Sequence, residues 1–104
     1  MENSQKSKEL LVFENATQSE NIVKINPNDG LDIGIIQLNK DVKIVSNLTN
    51  DDRKTYELVS DNGSILIDNN RKSGTVEISF KLWKKINKPK TITLVLQNEN
   101  LFIL

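Results

Sequence analysis

The sequence predicts an all-β fold: a single-domain antiparallel β-sandwich of immunoglobulin-like or jelly-roll-like architecture with seven to nine short strands, a small β-barrel being the second choice. Three observations carry that expectation. From Gly74 to Trp83 the chain alternates strictly, with Val76, Ile78, Phe80 and Leu82 on one side of an extended backbone and Thr75, Glu77, Ser79 and Lys81 on the other. Turn-forming clusters of Asn, Asp, Gly and Pro punctuate the rest at roughly the 8–12-residue spacing of all-β domains. No stretch sustains the helical period. Burying the four apolar side chains of the long strand stabilises by roughly 1.5–3 kcal/mol each before entropy is charged, and one strand alone offers nothing to bury them against.

Taken in order, residues 1–8 are expected to form a flexible polar tail and residues 9–104 the β-sandwich domain. Leu10 to Phe13 and Ile22 to Ile25 are the first two candidate strands. Asn26-Pro-Asn-Asp-Gly30 stops the second, because proline presets one turn dihedral and Asp-Gly accepts the unusual ones. Leu31 to Leu38 reads as a strand apolar on both faces, hence central or covered. Asn39-Lys40-Asp41 is a tight turn, after which Val42 and Ile44 alternate with Lys43 and Val45. Asn47 to Lys54 is a polar loop, and Lys54 to Val59 the next strand, with Tyr56 and Leu58 on one side. Asp61-Asn-Gly-Ser64 is the strongest hairpin signal in the chain, with Ser64 to Asp68 as the returning strand. Beyond Trp83 a basic loop broken by Pro89 leads to the alternating segment Lys90 to Gln97. Asn98-Glu-Asn100 turns the chain into Leu101-Phe-Ile-Leu104, a plausible free edge.

The chain has 104 residues, enough for one core. It holds neither cysteine nor histidine. That excludes disulfides and removes the usual general base, the usual metal ligand and the pH switch. No nucleophile stands beside a recognisable base, and Gly30, Gly34, Gly63 and Gly74 stand singly, so no phosphate loop is present. The chain is therefore expected not to be an enzyme and to need no cofactor. The leading residues lack an apolar signal segment, which predicts a cytoplasmic or virion protein, or a cell-surface one if the chain is a module of something longer. The formal charge is zero but uneven: 12 acidic and 7 basic residues through Asn70, a net of −5, against 7 basic and 2 acidic from Arg71 on, a net of +5. Solvated loops of either sign explain this; two ends suited to head-to-tail contacts are the sharper reading.

Several residues are candidates for binding. Trp83 falls on the polar side of the long strand, next to Lys84 and Lys85. It is either an exposed ring awaiting a partner or one turned inward by a bulge or covered by the chain's own loops. Lys81, Lys84, Lys85, Lys88 and Lys90 form a basic cluster, read first as lysines that discourage stray sheet pairing and only second as an anion site. Nucleic acid is not expected, because aromatics are 5% of residues and single-strand binders need several stacking rings. The acidic loops at Asn28 to Gly30, Asp51 and Asp52, Asp61 to Gly63 and Asp68 to Asn70 would hold calcium only if they converge, and they lack its ligand spacing. Asn15, Asn47 and Asn62 open glycosylation-type triplets that chance supplies in so asparagine-rich a chain. Ile36, Leu38, Val45, Val59 and Val95 point away from the main apolar face of their strands, as an outward patch or as the core share of a second layer.

These readings predict a non-enzymatic structural or protein-binding module that forms homo-oligomers or docks on a larger assembly. Tyr56, Trp83, Lys84, Lys85, Leu101 and Phe102 are its contact residues. Short, cysteine-free chains rich in asparagine and lysine suggest a phage virion or bacterial-surface setting. The alternatives are a carbohydrate-binding module stacking sugar on Trp83 and Tyr56, and a small intracellular inhibitor or adaptor. No membrane association is expected.

Overall fold

A computed structural model describes residues 5–18 and 20–104. Nine strands, β1 (Gln5–Lys6), β2 (Leu10–Asn15), β3 (Asn21–Ile25), β4 (Asn39–Ser46), β5 (Glu57–Ile67), β6 (Thr75–Ser79), β7 (Thr91–Ile92), β8 (Leu94–Gln97) and β9 (Asn100–Ile103), make one sheet in the order β1-β8-β9-β4-β5-β3-β6-β2-β7. Two one-turn helices, α1 (Pro27–Asp32) and α2 (Phe80–Lys85), interrupt it. The fold is all-β in kind, but the strands form a single curled sheet, a half-barrel, where alternation suggested two packed layers. The sheet is also mixed: β2/β6, β3/β5 and β4/β9 run parallel and the other pairs antiparallel. Alternation reports that one face is buried, and a curled sheet buries its concave face against itself as well as two stacked sheets do.

The two ends of the strand order lie on the same two chain segments. β1 and β2 are separated by residues 7–9, and β7 and β8 by Thr93 alone. Gln5 and Lys6 pair with Leu96 and Val95, and Leu10 and Leu11 with Ile92 and Thr91. Between them the buried Ser7 donates its backbone N–H to Leu94 O, and its Oγ accepts from Leu94 N, both at 2.9 Å. Residues 5–8 are thus tied into the sheet and are not part of a loose tail; residues 1–4 lie outside those described.

The core is wholly aliphatic. Leu10, Val23, Ile25, Val42, Ile44, Ile65, Val76, Ile78, Ile92, Leu94, Leu101 and Ile103 line the concave side, with Ile33, Ile35, Leu48, Leu82 and Ile86 from helices and loops. Every aromatic ring lies outside that fully buried set.

Four local expectations fail for physical reasons. Leu31 to Leu38 is not a strand. Asn26, read as a strand stop, is the N-cap of α1: its side chain accepts from Asn28 N at 2.7 Å, and Pro27 supplies the first helical residue with a preset φ. Only Ile33 and Ile35 from that stretch are buried, while Ile36 and Leu38 are 88% and 73% exposed. The turn expected at Asn39-Lys40-Asp41 is instead the start of β4, whose Asn39, Lys40 and Asp41 pair with Leu66, Ile65 and Ser64. The hairpin expected at Asp61 to Ser64 is absent, because β5 runs straight through. Its pairing with β4 shifts register between Val42 and Ile44 and again between Ile44 and Val45, so the extra residues are absorbed as bulges that bend the sheet. Gly63 is glycine for room: a Cβ there would meet Ile44 Cδ1 at 2.5 Å. Finally, the long strand ends at Ser79, whose Oγ caps α2 by accepting from Leu82 N at 3.3 Å. Val76 and Ile78 are buried as expected, but Phe80 turns outward and Leu82 reaches the core from a helix.

Candidate functional site

The convex face of the sheet carries one row that its surroundings do not explain. Leu101 and Ile103 point into the core, so Phe102 between them points out; by the same alternation Val45 sits out between buried Ile44 and Ser46, and Val95 out beside buried Leu94. Register places these residues directly opposite one another: Val95 pairs with Phe102, Phe102 with Val45, and Val45 with Leu58. Adjacent members of such a row lie within side-chain contact, and four strands span roughly 14 Å. Tyr56, two residues before Leu58 on the chain, meets Phe102 edge-on with ring centroids 5.8 Å apart. Leu58 is 56% and Tyr56 50% exposed. The result is an apolar stripe over β8, β9, β4 and β5 with an aromatic pair along it. Polar neighbours frame it, with Lys6 opposite Val95 at one end and Lys43 and Asn100 paired one step along the strands.

Tyr56 and Phe102 therefore come together, joined by Val45 and Val95 from the outward set. Leu101 does not join them; it is fully buried. Nor is residues 101–104 an edge. β9 lies between β8 and β4 and pairs with both, antiparallel to β8 and parallel to β4, so neither of its backbone edges is free. Val59 is partly buried against the core, and Ile36 and Leu38 stand away on the loop after α1.

Trp83 belongs to a second region, on α2. It packs partly buried against the core, its Nε1 donates to Pro89 O at 3.0 Å, and Lys88 Nζ lies 5.9 Å from the ring centroid. The chain's own loop covers it, one of the two readings left open by sequence. Lys84 and Lys85 are exposed on the same helix, and Lys84 Nζ lies 5.5 Å from the Phe80 ring. Phe80 pairs with Trp83 at 5.6 Å, so Trp83 and Tyr56 sit in separate aromatic pairs and do not make one stacking platform.

The acidic loops take different roles. Asp29 is fully buried and structural: its carboxylate accepts from Gly74 N at 2.9 Å and Ser73 Oγ at 3.2 Å, with Lys8 Nζ at 3.5 Å. Asp68 closes a local turn on Asn70 N. Asp51 and Asp52 border one shallow groove with Glu57, while Asp61 borders another of about 480 Å³ with Glu20, Asp41 and Glu99. Among the described residues no acidic group converges in a way that could hold a metal ion. Asn15, of the first glycosylation-type triplet, spends its amide on Glu77.

No protein-family model, curated protein or solved structure matches this chain.

Sequence reasoning overlooked two members of these surfaces. Leu58 reads as lying on the same side as Tyr56 but is not among the expected contacts; its register with Val45 sets it in the outward row. Phe80 looked like core as the third apolar residue of a strand. The sequence does carry the signal that would have moved it: Ser79 stands three residues before buried Leu82, and Phe80 and Trp83 repeat at helical spacing.

Proposed function

We propose that this chain is a non-enzymatic module that works by presenting surface, and that the convex face of β8, β9, β4 and β5 is the face it presents to a second copy of itself. The observation that carries this reading is the unbroken row Val95, Phe102, Val45 and Leu58, with Tyr56 against Phe102. Contiguous apolar surface rimmed by polar residues is uncommon on a lone domain and typical of association surfaces. Aromatic rings are over-represented in such surfaces, and here they are spent outside the core while aliphatic residues fill it. A face that meets its own copy needs no other chain to be complete, and repeated copies suit a larger assembly of the phage-virion or bacterial-surface type that composition suggests. The carbohydrate reading draws less support, since Trp83 is covered by Pro89 and Lys88 and stands apart from Tyr56 in its ring contacts.

Sedimentation or light scattering across a range of protein concentrations tests the proposal against Leu58→Lys. The native chain should gain mass as concentration rises. The variant should stay at monomer mass with the same far-ultraviolet circular dichroism and a melting temperature within a few degrees, because residue 58 is exposed and surface changes cost about 0.5 kcal/mol or less. A native chain that keeps monomer mass throughout, or a variant that associates as well as the native chain, would sink the reading.

A further inference from the structure

A groove on the α2 side of the molecule, separate from the convex stripe, combines an apolar floor with an unneutralised basic rim. It holds about 370 Å³ and is lined by Ala16 and Gln18 from the loop after β2 and by Phe80, Lys81, Lys84 and Lys85 of α2. Capping by Ser79 starts the helix where the strand pattern would have continued, and this turns Phe80 from core to surface. One helical turn then sets Lys84 and Phe80 on a shared side, and the ammonium lies over the ring.

The charge here is one-sided. Lys81, Lys84, Lys85, Lys88 and Lys90 fall within ten residues, and no acidic residue occurs between Glu77 and Glu99. The ion pairs found among the described residues join Lys8 to Asp29 and Lys24 and Arg71 to Glu77, so none neutralises this cluster. On a chain of zero net charge such a concentration is a local field and not a general property.

We infer that the groove beside α2 binds an acidic polypeptide segment of a partner protein, which seats an apolar side chain on Phe80 and places carboxylates against Lys81, Lys84 and Lys85. Charge complementarity selects an acidic occupant, and the apolar floor selects one that carries hydrocarbon between its charges. A polypeptide meets both conditions with alternating residues. A nucleic-acid strand would need successive stacking rings and a longer basic track. A lipid surface calls for apolar side chains that protrude, whereas here the lysines form the rim and the ring the floor.

The chain's single tryptophan stands 5.6 Å from Phe80 and reports on the groove directly. The probe is a synthetic peptide of about a dozen residues, glutamates interrupted by two leucines, titrated while tryptophan fluorescence is followed. The expected result is a saturable shift that weakens as salt is added, as attraction between exposed charges must. The double variant Lys84→Glu, Lys85→Glu should lower affinity at least tenfold. A peptide of glutamates alone should bind several-fold more weakly to the native chain, and Phe80→Ser should erase that preference. Leu58→Lys should bind the peptide as the native chain does, which separates this site from the convex stripe. No saturable shift, or equal binding by the double variant, overturns the proposal. So does saturable binding of a single-stranded oligonucleotide or of anionic phospholipid vesicles with none of the peptide. Self-association lost in the double variant but kept in Leu58→Lys would make the occupant a second copy and overturn the choice of a separate partner.

Discussion

The two halves of the convex face are built on the same period and end in opposite states. On β2, β6 and β3 the outward row is Phe13, Glu77 and Lys24, aligned by register as Val95, Phe102, Val45 and Leu58 are on the other half. Yet this row is satisfied from within. Glu77 Oε1 accepts from Arg71 at 3.1 Å, its Oε2 accepts from Asn15 Nδ2 at 2.8 Å, and Lys24 lies 3.7 Å away. The Arg71 guanidinium also lies over the Phe13 ring, 5.5 Å from its centroid. A loop side chain thus closes the polar half, whereas on the apolar half Leu58 and Tyr56 stay exposed beside the half-buried Val95, Phe102 and Val45. An outward row calls for a partner when its own neighbours leave apolar area in water, and alternation alone does not distinguish the two cases.

The largest effect comes from a strand that serves both sides. β9 points Leu101 and Ile103 into the core and Phe102 onto the stripe. Leu101→Ala should cost about 2–5 kcal/mol, the cost of lost burial plus a cavity that rigid neighbours cannot fill. Denaturant titration would show this as a lower midpoint with an unchanged slope. Whatever remains folded should still gain mass with concentration, because the stripe is intact. A variant that keeps full stability but loses association would mean that β9 is loosely held and that its two faces are not independent.

Next comes the centre of the polar half. Glu77→Ala leaves the Arg71 guanidinium and the Asn15 amide without their acceptor in a partly buried setting, and should destabilise by about 1–3 kcal/mol. Association should not change, since the residues that Glu77 binds, Arg71, Asn15 and Lys24, are not members of the stripe. If Glu77→Ala alters mass in solution while stability holds, the polar half takes part in docking and the contrast between the halves collapses.

How much of this could be read from the chain depends on which force was in play. Val23, Ile25, Val42, Ile44, Ile92 and Leu94 declare themselves as inward because burial follows period two, and their strands are where the sequence puts them. Tyr56 and Phe102 were visible as candidate contacts, but nothing local says that they meet: residues 46 apart in sequence are joined only by the ladder through β4. Helix caps and bulges were misread because one residue serves two purposes. Asn26-Pro27 can end a strand or begin a helix, and Asn62-Gly63 can turn a chain or let Ile44 cross it. The choice is made by what packs on top, which is non-local information. The groove at α2 was half legible, since its lysines were conspicuous while its aromatic floor was hidden by a pattern that continued past Ser79.

The smallest effect gives the sharpest comparison. Phe13 and Leu58 are both large apolar side chains on the convex face, 46% and 56% exposed. If exposure alone made an association surface, replacing either by a polar residue would dissociate the protein. The geometry separates them: Phe13 is flanked by Glu77 and covered by Arg71, while Leu58 continues a row of apolar neighbours. Phe13→Ser should therefore cost only the ring's contact with the guanidinium and a little packing, about 0.5–1 kcal/mol, and should leave mass in solution as it was. Leu58→Lys should do the reverse, sparing stability and abolishing association. Measuring both variants by thermal melting and by sedimentation at matched concentrations decides between neighbourhood and exposure. If Phe13→Ser dissociates the protein as fully as Leu58→Lys, the internal satisfaction of the polar half counts for nothing and the contact must span the whole convex face.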